Sequence, residues 1–322
     1  MDNQVYPMLF EPVYKDYLWG GERIPKTYNR DLPPGVYAES WEIADHDDGM
    51  SVVSNGALSG KTLREILKKN SKDILGSNTE GDRFPLLIKL IDANKKLSVQ
   101  VHPNNHTASL YGGDPKTEAW YLLGENEAQV YCQFKDGVTE EVFLDALKNK
   151  TAGDTINPIT VKHGDMVFIR GGRVHAIDEK CLIYEVQQNS NTTYRICDWG
   201  RVDETGKSRE LHIEQALKVI NWDDHENPLI DSKLLVDTDT FRCWELLHCN
   251  HFKLEKLIYS APLEVPMSGK TFHALFVAEG EAEISWEEES LNLAAGTSVL
   301  IPAALPHYTL SGNATILRST IP

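Results

Sequence analysis

The segments GDMVFIRGGRVHAI (residues 164–177) and GTSVLIPAALPHYTL (residues 296–310) follow one plan. In each, a glycine opens an apolar run, a turn follows, and a histidine stands eleven positions after the glycine, His175 in the first copy and His307 in the second. Runs of Val, Ile, Leu and Phe this short, bounded by Gly or Pro, read as strands. The echo therefore predicts two related β barrels in tandem.

Working outward, residues 51–56, 97–103, 128–134, 165–171, 181–188, 192–199, 254–260, 274–280, 282–286 and 298–303 read as further short strands, separated by Gly, Pro, Asn or Asp. Three segments instead repeat apolar residues three or four apart: KTLREILKKNSKDIL (61–75), TEEVFLDALKNK (139–150) and SRELHIEQALKVI (208–220). The predicted fold is mainly β, two tandem barrels with helical insertions at about 60–76, 138–150 and 208–220. The polar run NWDDHENPLIDSK (221–233) has the composition of an exposed connection. It divides the chain into an N-terminal domain, 1–222, and a C-terminal domain, 223–322.

With 322 residues and 41% apolar side chains, the chain can bury sizeable cores. A formal charge of -16 opposes any nonspecific grip on phosphate backbones, so no nucleic acid partner is expected. An anionic ligand would have to meet a few local cations. FPLLIKLI (84–91), one of the longest apolar runs, falls short of the roughly 20 residues that span a bilayer. The first thirty residues show no basic flank, apolar run and cleavage site. Neither membrane insertion nor export is expected. Five cysteines, without a C-x-x-C pair, suit a reducing compartment, so a cytoplasmic location is expected. A metal would have to use His and carboxylate.

Candidate chemistry begins in SVQVHP (98–103), where alternation places Ser98, Gln100 and His102 on one strand face and Val99 and Val101 on the other. A buried polar face needs partners, because an orphaned group costs on the order of 1–3 kcal/mol; the bland alternative is a solvated face. In PKTEAWYLL (115–123), Lys116 and Glu118 share an i, i+2 face. Gln100, His102, Glu118 and His175 together offer two imidazoles, a carboxylate and an amide oxygen, a set suited to an open zinc site. Their separations match no short metal motif. Trp19 and Trp41 could stack on a sugar or simply be buried.

The half-motif G-x5-P-x-G-x2-H resembles the second signature of cupins, with Arg170 in place of its proline in the first copy and Ala304 in place of its second glycine in the other. The implied barrels are jelly-roll-like. FPLLIKLIDANKKLSVQVHPNN, KTEAWY, GRVHAI and EVQQNSNTTYRICDWGR, in this order and spacing, resemble signature segments of the short bacterial type I phosphomannose isomerases; the similarity runs from LWGG and ESWEI to about residue 220 and more weakly to the end. The resemblance implies a zinc-dependent aldose–ketose isomerase, one Zn2+ per chain, acting on a sugar phosphate such as mannose 6-phosphate or fructose 6-phosphate, as a monomer or weak homodimer. It places the metal ligands on Gln100, His102, Glu118 and His175 and the active-site arginine on Arg195. It places the proposed base on Glu185, whose alternative role is to orient Arg195 through a salt bridge. Lys116 and Arg195 are the cations for the substrate anion, and Lys89 and Ser98 align with residues used at the phosphate. Asn191 stands where aspartate is more usual, and Arg170-Gly171 where Pro-Ala is common. His307 lacks an inward Gln-x-His strand and an aligned glutamate, so the second barrel is expected to be degenerate and metal-free. A silent sugar-phosphate-binding cupin and an iron dioxygenase are the other classes open to this sequence.

Overall fold

The computed structural model describes residues 5–202 and 205–322; Met1–Gln4, the start of the stretch read for an export signal, lie outside it. Its architecture is mainly β, in three main antiparallel sheets. A seven-stranded sheet runs in the spatial order Leu229–Ile230, Met166–Ile169, Glu118–Leu122, Cys181–Gln188, Leu86–Ala93, Glu39–Ile43 and Val13–Lys15. A five-stranded sheet runs Ile156–Val161, Ala128–Phe134, His175–Ile177, Val99–Val101 and Tyr194–Cys197. The C-terminal half forms a ten-stranded sheet that also recruits Met8–Glu11, paired with Ser298–Ile301, and Val52–Val53.

The strand Leu86–Ala93 is buried at every position, which explains why apolar residues fill it apart from Lys89 and Asp92: strand alternation sends its residues to two faces, and both are covered. Leu86, Ile88 and Leu90 pack with Tyr184 and Val186 against Phe272, Phe276 and Leu317 of the C-terminal sheet; Tyr184 stacks on Phe276 with ring centroids 4.8 Å apart. On the opposite face Ile91, Trp120, Ile183 and Val167 meet Val130, Cys132 and Ile177 of the five-stranded sheet. The seven-stranded sheet is thus the central layer of the molecule.

Three expectations change in detail. Among the described residues no hydrogen-bonded ladder closes on itself, so the sheets are not closed into the expected barrels: the first is a pair of facing sheets and the second one continuous ten-stranded sheet. One ladder ends at Ile156–Val161, where Pro158 has no N–H to donate. The strands expected at 274–280 and 282–286 are one strand, His273–Trp286; Gly280, at φ 78°, lies beside a register shift between Val277 and Glu279, so the glycine marks a bulge instead of a break. The helix expected over 208–220 is confined to Ile213–Val219, because the segment before it is tied to a neighbouring strand: Arg195 Nη1 donates to the Glu210 carbonyl at 2.9 Å and His212 N–H donates to the Arg195 carbonyl at 2.7 Å.

The helices Leu63–Leu75 and Glu140–Lys148 form where periodicity puts them, the first opened by a reciprocal Thr62–Glu65 capping box and followed by Gly76 at φ 83°. A helix at Asn105–Tyr111 escaped the periodicity because it buries no residue; it rests on the Asn104–Thr107 capping box. The connection read as exposed is partly tucked in. Trp222 stacks on Phe134 with centroids 5.0 Å apart, and the Asp224 side chain is 11% exposed. Leu229–Ile230, beyond residue 222, pairs with Met166–Ile169.

Candidate metal centre and active-site cleft

Two facing sheets build the site. In the five-stranded sheet Gln100 sits directly between His175 and Arg195 in register. In the seven-stranded sheet Glu185 lies opposite both Lys89 and Trp120, and Lys89 lies opposite Trp41. Because strand side chains alternate, Glu39 and Glu118, each two positions from one of those tryptophans, share the same inward face. A polar stripe on one sheet therefore meets a polar stripe on the other.

At the centre, His102 Nε2 lies 3.5 Å from Glu118 Oε2 and His175 Nε2 lies 3.4 Å from Glu118 Oε1. One ligand-type atom from each of the three residues falls within 4.8 Å of the others. Gln100 Nε2 is 3.2 Å from His175 Nε2, and Ser98 Oγ donates to Gln100 Oε1 at 3.3 Å. A half turn of the amide exchanges its oxygen and nitrogen, so the oxygen can be presented to the same point. All four residues expected from the sequence as metal ligands are brought together.

The charge states suit a cation. Burial, reinforced by Lys116, lowers the His102 pKa to about 3, and burial likewise lowers that of His175, so both imidazoles are neutral, the form that binds metal. Burial works against ionisation of Glu118, but Lys116, its ammonium 2.9 Å away, holds it well below the usual carboxylate range. His102 is 1% exposed and neither ring nitrogen makes a hydrogen bond among the described residues. An orphaned buried imidazole beside an ionised carboxylate fits a metal ion with nitrogen and oxygen ligands.

The cluster underlies a cleft of ≈ 250 Å³ lined by every other expected site residue, Lys89, Ser98, Lys116, Glu185 and Arg195. Trp19 lines it too, whereas Trp41 is fully buried and its indole N–H donates to Glu39 Oε2 at 2.7 Å. Lys89, 4% exposed, holds Glu185 at 2.8 Å and Glu39 at 3.4 Å. Glu185 is not a partner of Arg195; its Oε1 accepts the Trp120 indole N–H at 2.7 Å. Burial, then the charge of Glu118, raises its pKa to about 7 against the pull of Lys89. Asn191 donates to Asp48 Oδ2 at 2.7 Å; an aspartate there would face a like charge.

Sequence reading missed Glu39 and Arg209. Glu39 was visible only as part of ESWEI. Arg209 stood inside an expected helix; in the structure it lines the cleft and donates to Asp198 Oδ2 at 2.8 Å. A larger cavity, ≈ 800 Å³, opens between residues 170–173, the 221–233 connection and Glu245–His251, but the cluster lies outside it.

Gly171 packs against the chain next to His102. A Cβ placed there would lie 2.7 Å from both the Asn104 Cα and the Pro103 carbonyl, so the alanine common in the resembled family does not fit this backbone. Gly171→Ala is expected to destabilise the protein by about 1–3 kcal/mol, read as a lower midpoint in thermal melting. His307 is exposed at the start of His307–Thr320; His307→Ala is expected to leave metal content and turnover at wild-type values in parallel metal analysis and assay.

The catalytic-domain model of type I phosphomannose isomerase matches residues 8–129, and the cupin-domain model of mannose-6-phosphate isomerase matches residues 245–321. The chain is 34% identical over 318 residues to mannose-6-phosphate isomerase ManA of Bacillus subtilis, covering 97% of this chain and 98% of that one. It is 29% identical over 322 residues to mannose-6-phosphate isomerase of Streptococcus mutans, with 97% and 98% covered. The crystal structure of the mannose 6-phosphate isomerase from Bacillus subtilis superposes with a TM-score of 0.89 at 29% identity, over 98% of this chain and 99% of that one. Sequence, fold and full-length coverage agree: the chain belongs to the type I phosphomannose isomerases, enzymes of the cupin fold.

Proposed function

We propose that the chain interconverts mannose 6-phosphate and fructose 6-phosphate with one zinc ion per chain, held by Gln100, His102, Glu118 and His175. The observation that carries this reading is the juxtaposition of two neutral imidazoles and an ionised carboxylate, buried beneath a cleft whose wall presents a carboxyl group of pKa about 7.

Isomerisation moves one proton between C1 and C2 and a second between the oxygens on those carbons, passing through an enediolate whose single negative charge the two oxygens share. When bound, zinc supplies Lewis acidity that polarises the carbonyl, an effect of several kcal/mol. Glu185 takes the proton from one carbon and returns it to the other, its carboxylate aimed by the Trp120 indole and the Lys89 ammonium. Burial keeps it basic enough for the task. Arg195 and Lys116 face the developing anion, the guanidinium fork matching paired oxygens. Lys89 and Ser98 line the same cleft and are assigned to substrate contact, with Lys89 also tethering Glu185.

The catalytic unit is residues 1–222, with 223–322 a metal-free second half. The protein works as a monomer or weak homodimer in the cytoplasm, with neither nucleic acid nor membrane as partner. No helix among the described residues is long and apolar enough to cross a membrane.

The test is fructose 6-phosphate isomerisation before and after chelator treatment. Activity is lost with the metal and returns on adding zinc; turnover unaffected by complete metal removal would refute the zinc reading.

A further inference from the structure

The 221–226 connection does more than join two halves: it reaches toward the metal centre through a buried arginine. Arg173 is 1% exposed. Its Nε and Nη2 donate to the two carboxylate oxygens of Asp224 at 2.6 and 2.7 Å, its Nη1 to the Phe168 carbonyl at 2.6 Å, and its Nη2 also to the Glu226 carbonyl at 3.0 Å. The Gln133 side-chain amide secures the same connection, donating to the carbonyls of Asp224 at 3.1 Å and Glu226 at 2.6 Å. A bidentate guanidinium–carboxylate pair fixes orientation as well as distance.

That fixed residue controls His175. The Arg173 carbonyl lies 2.9 Å from His175 Nδ1. A carbonyl only accepts, so the contact puts the proton on Nδ1 and leaves the Nε2 lone pair facing Glu118 at 3.4 Å. The same turn reaches the other histidine: Gly172 N–H donates to the His102 carbonyl at 2.7 Å, while Asn221 N–H donates to the Gly172 carbonyl at 2.8 Å. The connection thus grips a turn that touches both imidazole-bearing residues.

We propose that Arg173, latched by Asp224, is a positioning residue that sets the tautomer and aim of His175 for metal binding. The proposal rests on the reading of His175 as a metal ligand. Groups that hydrogen-bond the far nitrogen of a ligating histidine orient the ring, and their loss commonly lowers metal affinity 10–100-fold. Here the far-nitrogen partner is a backbone carbonyl, and the ion pair holds that carbonyl in place.

Asp224→Asn keeps the shape but not the charge, and Arg173→Lys keeps the charge but not the fork. Two measurements apply to each variant. The first is the 15N shifts of the His175 ring in metal-free protein labelled with 15N-histidine, assigned by the resonance missing in His175→Ala. The second is zinc affinity by competition with a chromophoric chelator. We expect wild type to show only the Nδ1–H tautomer, both variants to populate the Nε2–H form, and zinc affinity to fall roughly 10–100-fold while far-UV circular dichroism is retained. An unchanged tautomer in both variants, or zinc affinity within error of wild type in both, overturns the proposal. So does failure of both to fold, which would make the pair a tether between the halves. If one fails to fold, the other decides. Wild-type protein without zinc affinity would sink the metal reading instead, and the tautomer measurement would then decide the latch by itself.

Discussion

Glu185→Gln lowers turnover by roughly 10²–10⁴ with little change in KM, the pattern expected when a general base is lost and substrate binding is not. The substitution keeps the volume, and the remaining amide oxygen can still accept the Trp120 indole N–H that Glu185 Oε1 accepts at 2.7 Å. What disappears is the proton acceptor. Solvent tritium exchange into substrate reads that function directly, because exchange at C1 or C2 needs a working base even when net isomerisation is slow. Exchange at the wild-type rate in Glu185→Gln would move the role elsewhere, with Lys116 as the next candidate.

The same residue has a titration signature. In metal-free protein labelled with 13C at glutamate carboxyls, one carboxyl absent from Glu185→Gln should titrate near pH 7, well above the ordinary 4.5. The folded-state value is the higher one, so the folded protein holds this proton more tightly than the unfolded chain does between pH 4.5 and about 7. This group's contribution to stability is therefore present below the unfolded value and lost as the pH rises to about 7.

His102→Ala and His175→Ala each lose zinc and turnover together, with metal content falling from one per chain toward zero by elemental analysis. The fold survives in both, but not equally. His102 makes no hydrogen bond through its ring, so its removal deletes an orphaned polar group and should barely move the melting midpoint of the metal-free protein. His175 Nδ1–H satisfies the Arg173 carbonyl, and its loss strands that oxygen at a cost of about 1–3 kcal/mol. Full zinc content with full turnover in either variant would end the proposed ligand set.

Legibility followed physical cause. Strand content and the two glycine-to-histidine copies were readable because apolar runs and Gly or Pro punctuation are local properties of the chain. The buried run at 84–91 was conspicuous as sequence, but that it is the middle layer, covered by different sheets on its two faces, depends on strands from both ends of the chain. Gly280 misled because the residue that ends a strand in sequence also permits a bulge within one. The helix at Asn105–Tyr111 was silent because a helix that buries no residue has no apolar stripe.

By itself the sequence determined the β framework, the polar face of Ser98, Gln100 and His102, and, through family resemblance, the residues to watch around it. Only the tertiary structure decided which charges face which. It gave Glu185 to Lys89 and Trp120 instead of Arg195, brought Glu39 into the cleft wall, buried Trp41 behind that wall with its indole on Glu39, and drew Asp224 from an apparently exposed connection onto Arg173. Secondary structure is written in short-range periodicity. A carboxyl's pKa and an imidazole's tautomer depend instead on partners brought within hydrogen-bonding distance by sheet register and by the stacking of one sheet on another.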